Sequence, residues 1–274
     1  MDNILGYKNQ NVVITGAASG MGAAATALLI EAGANVYALD IGDVTAPVTK
    51  ALKVNIMDKA SIDAALTELP DTIYSLFNCA GVPHPPTPVY ETIMINFVGL
   101  RYLTEQLLPR ICEGGAIISI ASTAGMAWRV NLERVQEFLA LDGFEAASDW
   151  LKAGNELGLQ VDAYGFSKQC IIVYTMQMAG ELAKHHKRIN CIAPSPTDSA
   201  FMDSLATAGI GKDVTALFCP SNGDFATGAD MGNAVVILNS KLAGFISGCN
   251  IPVDYGYVAE VTMGQRNNML EISL

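Results

Sequence analysis

The sequence predicts a doubly wound α/β domain, a parallel sheet covered on both faces by helices. Three observations point there. Short runs rich in Val and Ile recur along the 274 residues, these runs are nearly continuous in apolar character, and amphipathic segments of helical length separate them. No linker-like stretch, internal repeat or low-complexity segment divides the chain, so residues 1–274 are read as a single domain. With 51% hydrophobic and 16% charged residues, a sizeable core is expected and disorder is not.

Taken in order, the first strand is NVVIT (11–15), which runs into a glycine loop and a helix near 20–32. The second is NVYAL (35–39), which delivers Asp40 at its end. A helix near 59–68 precedes the strand IYSLFN (73–78), and a long helical stretch near 89–110 precedes AIISIA (116–121). A helix near 163–185 leads to RINCIA (188–193), and one near 229–239 leads to GCNIPV (248–253). Between Ala121 and the helix at 163 lie about forty residues, far more than a βα connection needs. Leu132, Val135, Phe138 and Leu139 have helical spacing there, as do Phe144, Ala147 and Leu151, so the insertion (125–162) is read as two short amphipathic helices. It leaves the sheet at the carboxyl end of a strand, where open α/β sheets bind ligands. An apolar wall or lid over a pocket is therefore the favoured role, with a packing appendage or subunit contact as the other.

The net charge is −11, and the densest basic cluster is Lys184, His185, His186, Lys187 and Arg188. Such a balance argues against a nucleic-acid or membrane-surface partner. The six cysteines are widely spaced without a C-x-x-C pair, which reads as reduced thiols and not as a disulfide frame or metal site. MDNILGYKNQ has no secretory pattern and no apolar stretch reaches membrane-spanning length, so a cytoplasmic location is expected.

The loop TGAASGMG (15–22) places Gly16, Gly20 and Gly22 at the start of a helix whose N-terminal amides can hold a pyrophosphate. Its spacing departs from the G-x-G-x-x-G fingerprint. Asp40 stands 18 positions after Gly22, where an acidic residue holds the adenosine ribose. A carboxylate there repels a 2′-phosphate, and neither Ala17, Ala18 nor Ile41 compensates, so NAD is favoured over NADP. Asn55 is a candidate for the adenine edge, or a plain turn asparagine.

TGAASGMG, NCAG (78–81), Asn96 in INFVG, Ser122 in ISIASTAG, YGFSK (164–168) and RINCIAPSPT together resemble the short-chain dehydrogenase/reductase family, in order and at family spacing from about residue 10 to 258. The resemblance implies a one-domain Rossmann fold, NAD(P)-dependent interconversion of alcohols and carbonyl compounds, and a homodimer or homotetramer built through the long helices. It implies a catalytic set of Asn96, Ser122, Tyr164 and Lys168, with Ser122 preferred to Ser119, which is read as a buried strand serine bonded to backbone. It implies cofactor contacts from Gly16, Ser19, Gly20, Met21 and Gly22, then Asp40, Asn55 and Ile56, then Asn78, Ala80 and Gly81. Tyr164, Lys168, Pro194, Ser195, Thr197 and Ser199 complete that set. No metal is implied.

Tyr164 and Lys168 lie one helical turn apart. A phenol titrates near pH 10, and a neighbouring ammonium together with a cationic nicotinamide is expected to lower that value, so that Tyr164 exchanges the alcohol proton. Ser122 is expected to hold the substrate oxygen, Lys168 the nicotinamide ribose, and Asn96 a proton-relay water. The long insertion resembles the bacterial 3α-hydroxysteroid dehydrogenase/carbonyl reductase subgroup, with coniferyl and terpene alcohol dehydrogenases as relatives. This implies a bulky apolar secondary or allylic alcohol, steroid, terpenoid or other cyclic compound first and an aryl-propenyl alcohol next. Thr123, Met126, Trp128, Phe138, Trp150 and Phe201 are the candidate substrate-pocket residues. A non-catalytic, NAD-sensing binding protein on the same fold is the alternative from another class.

Three departures from the family pattern stand out. Ser195 follows Pro194 where glycine is usual, an exchange expected to stiffen the loop. Asp254, Tyr255 and Gly256 replace Asp-Gly-Gly, which puts a ring near the pocket floor or a subunit contact. Residues 197–228, with four glycines, are read as a mobile substrate loop.

Overall fold

Seven parallel strands form the sheet in the order β3-β2-β1-β4-β5-β6-β9. The computed structural model describes residues 3–155, 159 and 162–269. In chain order, β1 (Asn11–Thr15), α1 (Gly20–Glu31), β2 (Asn35–Asp40), β3 (Lys50–Lys53), α2 (Lys59–Leu66) and β4 (Ile73–Asn78) make the first half. Next come α3 (Val89–Ile93), a π-helical turn (Met94–Val98), α4 (Gly99–Leu107) and β5 (Ile111–Ile120). The stretch expected to be one helix near 89–110 is thus broken in its middle, and Asn96 lies in the break.

A 3₁₀ turn (Thr123–Arg129) follows β5, then α5 (Leu132–Leu139), α6 (Gly143–Lys152) and the 21-residue α7 (Ala163–Ala183). The chain closes with β6 (Arg188–Pro194), β7 (Thr197–Asp198), α8 (Ala200–Thr207), α9 (Lys212–Ala216), β8 (Ala226–Thr227), α10 (Gly228–Asn239), β9 (Asn250–Val253) and α11 (Tyr257–Thr262). The stretch read as a substrate loop therefore holds two helices and a small parallel pair, β7 with β8. β3 was not among the expected strands. Its alternating Lys-Ala-Leu-Lys sits at the sheet edge, where one side faces water and a continuous apolar run is not required.

Each sheet face buries its own apolar cluster. On one, Val12, Ile14, Val36 and Phe77 pack beneath α1 and α10, which lie against each other. On the other, Leu76, Ile117 and Ile189 pack beneath α4 and α7. The insertion forms the two expected amphipathic helices, but they join this second cluster. Val135, Phe138 and Leu139 of α5, with Phe144 and Leu151 of α6, are buried in it. α5 lies along α7, and α6 along α4 and the π turn. At the centre stands Phe138, fully buried, with ring centroids 5.1 Å from Trp150, 5.5 Å from Phe166 and 6.1 Å from Phe97. The wall-or-lid expectation for 125–162 is corrected: its apolar faces are needed to cover the long helices.

No helix among the described residues is long and apolar enough to cross a membrane. All six cysteines are free.

Candidate active site

A cavity of about 530 Å³ opens at the carboxyl ends of β1, β2, β4, β5 and β6. The strand order reverses between β1 and β4, and the crevice at such a switch point is where open α/β sheets take ligands. Thr15, the last residue of β1, ties the two strands there. Its hydroxyl accepts from the Cys79 and Ala80 amides at 3.1 and 3.2 Å.

The glycine loop fits a dinucleotide by its own packing. Gly16 has φ +68°, and a Cβ on it would stand 2.6 Å from the Ala80 nitrogen. A Cβ on Gly22 would stand 2.0 Å from the Gly16 carbonyl oxygen. The loop therefore lies flat against the end of β4 and presents backbone to the cavity. Ser19, the N-cap of α1, makes no side-chain cap bond, so the first-turn amides of this 12-residue helix are available to an anion. Ser19, Gly20 and Met21 also line the cavity.

Asp40 closes the opposite end. Its two carboxylate oxygens accept from the Ala18 and Gly42 amides at 2.9 and 2.7 Å, which holds a negative charge at the cavity edge beside Ile41. Asn55 and Ile56 line the same end, but the Asn55 side-chain oxygen accepts from the Met57 amide at 3.1 Å. Asn55 is thus a turn asparagine that also faces the cavity. Asn78 is corrected. It is buried, lies outside the cavity lining, and spends its amide on Thr104 at 2.9 Å and Ser119 at 3.3 Å. The strand alternation turns it away, while Ala80 and Gly81 reach the cavity as expected. Ser119 is buried as expected, with the Asn78 side chain as its partner instead of backbone.

Ser122, Tyr164 and Lys168 converge on one wall. Ser122 caps the 3₁₀ turn after β5, accepting from the Ala124 amide at 3.2 Å, and lines the cavity beside Tyr164. Asp162 caps α7 by accepting from the Gly165 amide at 2.9 Å. A Cβ on Gly165 would stand 2.2 Å from that carboxylate, so the glycine after Tyr164 makes the cap possible. Lys168 is buried, donates to the Ile120 carbonyl at 2.8 Å, and lies 5.4 Å from the centre of the Tyr164 ring.

The protein alone shifts both groups by burial. The phenol is pushed up to about 12, first by burial, with Ser122 pulling it down and Asp162 pushing it up. Lys168 is pushed down to about 8, again by burial. Burial is the first cause for both groups, because they share one dry wall.

Asn96 does not line the cavity. Its oxygen accepts from the Val82 amide at 2.8 Å, and its amide donates to the Val82 carbonyl at 3.0 Å and to the Ser167 hydroxyl at 3.2 Å. Both amide protons are committed within the protein, so the side chain has none left to donate to the expected water.

The other wall comes from the β6–α9 region. Pro194, Ser195, Thr197 and Ser199 line it, as expected. Ser195 is buried and has no left-handed backbone, so nothing at this position demands glycine. Its amide donates to Val253 at 3.3 Å. Phe201 stands 5.4 Å from the Tyr164 ring, and Met202, Leu205, Val214 and Phe218 continue an apolar lining that the sequence reading did not assign.

Of the substrate candidates Thr123 and Phe201 line the cavity, while Met126, Trp128, Phe138 and Trp150 do not. The Met126 sulfur is buried against the Asn250 amide, Trp128 packs under the Arg129 guanidinium at 4.6 Å, and Phe138 and Trp150 belong to the helix-covering core. Tyr255 is 85% exposed, which removes it from the pocket floor.

A family model described as short chain dehydrogenase matches residues 10–132, and one described as Enoyl-(Acyl carrier protein) reductase matches residues 152–258. The coniferyl-alcohol dehydrogenase of Pseudomonas sp. (strain HR199 / DSM 7063) is 30% identical over 249 residues, covering 90% of this chain and 96% of that protein. The chain belongs to the short-chain dehydrogenase/reductase family. The protein is an oxidoreductase by that membership, and it has further relatives in the same class. The 3-alpha-hydroxysteroid dehydrogenase/carbonyl reductase of Comamonas testosteroni is 28% identical over 255 residues, covering 89% of this chain and 95% of that protein. The fold is shared with the 3-alpha-hydroxysteroid dehydrogenase of Pseudomonas sp. B-0831, a structure complexed with NADH, at a TM-score of 0.77 and 24% identity over 94% of this chain and 99% of that one.

Proposed function

We propose that the protein is an NAD-dependent oxidoreductase that interconverts a bulky apolar secondary or allylic alcohol and its carbonyl compound. The observation that carries this is the meeting of Ser122, Tyr164 and Lys168 on one cavity wall opposite an apolar wall begun by Phe201. The named activities of relatives support it: coniferyl alcohol, a 3α-hydroxysteroid and cis-4-hydroxycyclohexanecarboxylate are all alcohols. Asp40 supports NAD over NADP, since its carboxylate meets a 2′-phosphate with no cation at Ala17, Ala18 or Ile41 to offset the repulsion.

The glycine loop and the end of β6 would hold NAD, which would supply the hydride acceptor and, when oxidised, a positive charge. Tyr164 takes the alcohol proton at its phenol oxygen, or returns it in the opposite direction. The Ser122 hydroxyl donates to the substrate oxygen and stabilises the charge that develops on it. Lys168, anchored on the Ile120 carbonyl, would hold the nicotinamide ribose. Phe201, Met202 and Phe218 exclude water and select apolar substrates.

Replacing Tyr164 with Phe separates an enzyme from an NAD-sensing binding protein. Turnover should fall about 10²- to 10⁴-fold while NAD affinity by calorimetry stays within a few-fold. A Tyr164→Phe protein that keeps its turnover would exclude the phenol as proton carrier.

The proposal includes self-association as a homodimer or homotetramer. α5 and α6 cover α7 and α4, whereas the β9 side carries fully exposed Phe245 and the exposed Ile237 and Leu242. This exposed apolar surface supports self-association through that side.

A further inference from the structure

Ser167 is fully buried on α7, between Tyr164 and Lys168 in sequence. Its hydroxyl donates to the Tyr164 carbonyl at 2.7 Å. That bond fixes the direction of the proton, so the lone pairs of the same oxygen face outward from the helix. One of them accepts from the Asn96 amide at 3.2 Å. Asn96 in turn grips both backbone groups of Val82, in the segment that follows β4 and lines the cavity.

One polar file thus runs Val82–Asn96–Ser167–Tyr164 and joins three separate elements: the cavity floor after β4, the π turn and the start of α7. A second observation sets Lys168 beside this file. A Cβ on Gly81 would stand 3.3 Å from the Asn96 side-chain oxygen and 3.6 Å from the Lys168 nitrogen. Asn96 and Lys168 therefore share one small gap, and what fixes Asn96 also fixes the surroundings of Lys168.

We infer that Ser167 is a positioning residue for the reaction proposed above, acting by locking Asn96 against the first turn of α7 so that the Lys168 ammonium keeps its place over the cavity floor. A hydroxyl is required because the site needs a donor toward Tyr164 and an acceptor toward Asn96 in one atom. Alanine supplies neither. It leaves one buried Asn96 proton without an acceptor, and the side chain is then free to rotate or to admit water beside Lys168. Cysteine fills the space with weak hydrogen-bonding capacity, so it tests the bond with less change in packing.

The inference rests on the proposed dehydrogenase activity, and two readouts keep the two apart. In Ser167→Ala and Ser167→Cys, kcat at saturating NAD and alcohol is expected to fall roughly 10- to 100-fold, with both KM values within about twofold. In the cofactor-free protein, labelled-lysine NMR is expected to show the Lys168 titration moving upward from about 8 as water enters. Adding Ser167→Ala to an Asn96→Ala background should lower kcat little further, since both act through one contact. Unchanged kcat and an unmoved Lys168 titration in a folded Ser167→Cys protein would overturn the assignment, as would full additivity with Asn96→Ala. If the unaltered protein oxidises no alcohol, the proposed reaction falls, and the titration alone decides the part of Ser167.

Discussion

The Lys168 ammonium donates to the Ile120 carbonyl at 2.8 Å, inside a wall where the lysine is almost wholly buried. This one bond pins α7 to the end of β5 and leaves the charge desolvated. Folding therefore disfavours the protonated form and lowers the titration from its ordinary 10.5 to about 8.

The sign of the resulting pH effect follows. Between about pH 8 and 10.5 the unfolded chain holds a proton on Lys168 that the folded chain has released, so stability from this group rises with pH across that window. Tyr164 and Cys79, raised to about 12 from 10.0 and 9.0, act oppositely at the alkaline end. Chemical denaturation of the cofactor-free protein and of Lys168→Met, compared at each pH, isolates the lysine. The difference should move in favour of the unaltered protein as pH rises from 8, and a pH-independent difference would contradict the buried charge.

Asp40 is expected to control coenzyme choice and to hold the loop. Removing its carboxylate as Asp40→Ala should raise the NAD KM about tenfold and narrow the preference over NADP. It should also cost about 1–3 kcal/mol of stability, because the Ala18 and Gly42 amides lose their acceptor. Paired initial-rate and urea-unfolding measurements check both parts. An unchanged NAD-to-NADP ratio would leave Asp40 as a loop brace alone.

Which segment forms the substrate wall is testable with two aromatic truncations. Phe201→Ala should raise the alcohol KM roughly tenfold, about 1.4 kcal/mol of lost contact, with little change in Tm. Phe138→Ala should destabilise the fold by about 3–5 kcal/mol and leave the alcohol KM near its original value. The reverse pattern would return the insertion to the pocket.

The exposed ring of Tyr255 sits on a left-handed backbone, φ +51°, a conformation that costs a non-glycine residue roughly 1–2 kcal/mol. In an isolated subunit Tyr255→Gly should therefore stabilise by about 1 kcal/mol. Sedimentation of Phe245→Asp, with its full exposure at the β9 side, is expected to give a smaller species than the unaltered protein. If the ring of Tyr255 also serves that contact, Tyr255→Gly will weaken association while raising subunit stability. An unaltered mass for Phe245→Asp would move the contact elsewhere.

Much of this architecture was legible because periodicity reports burial. The central strands are buried on both faces and read as continuous apolar runs, and the short Gly16–Gly22 segment and YGFSK carry their chemistry within a few residues. Less legible was anything decided by which way a side chain turns. Asn78 and Asn96 sit in recognisable segments, but strand alternation and the π turn aim both amides into protein. The amphipathic faces of α5 and α6 were readable, yet their partner was not, since α4 and α7 offer as much apolar surface as any ligand. Gly209, Gly211, Gly223 and Gly228 suggested a loop over 197–228. Phe201, Met202, Leu205, Val214 and Phe218 in the same stretch held the signal of a wall.

The most direct test of the central claim is NADH formation, followed by absorbance, from NAD and a panel of cyclic, steroid, terpene, aryl-propenyl and small aliphatic alcohols, with NADP in parallel. Turnover of bulky apolar alcohols with NAD, and far less with NADP, is the predicted result. Silence across the panel by a protein that still binds NAD would contradict it and leave an NAD-binding protein without this chemistry.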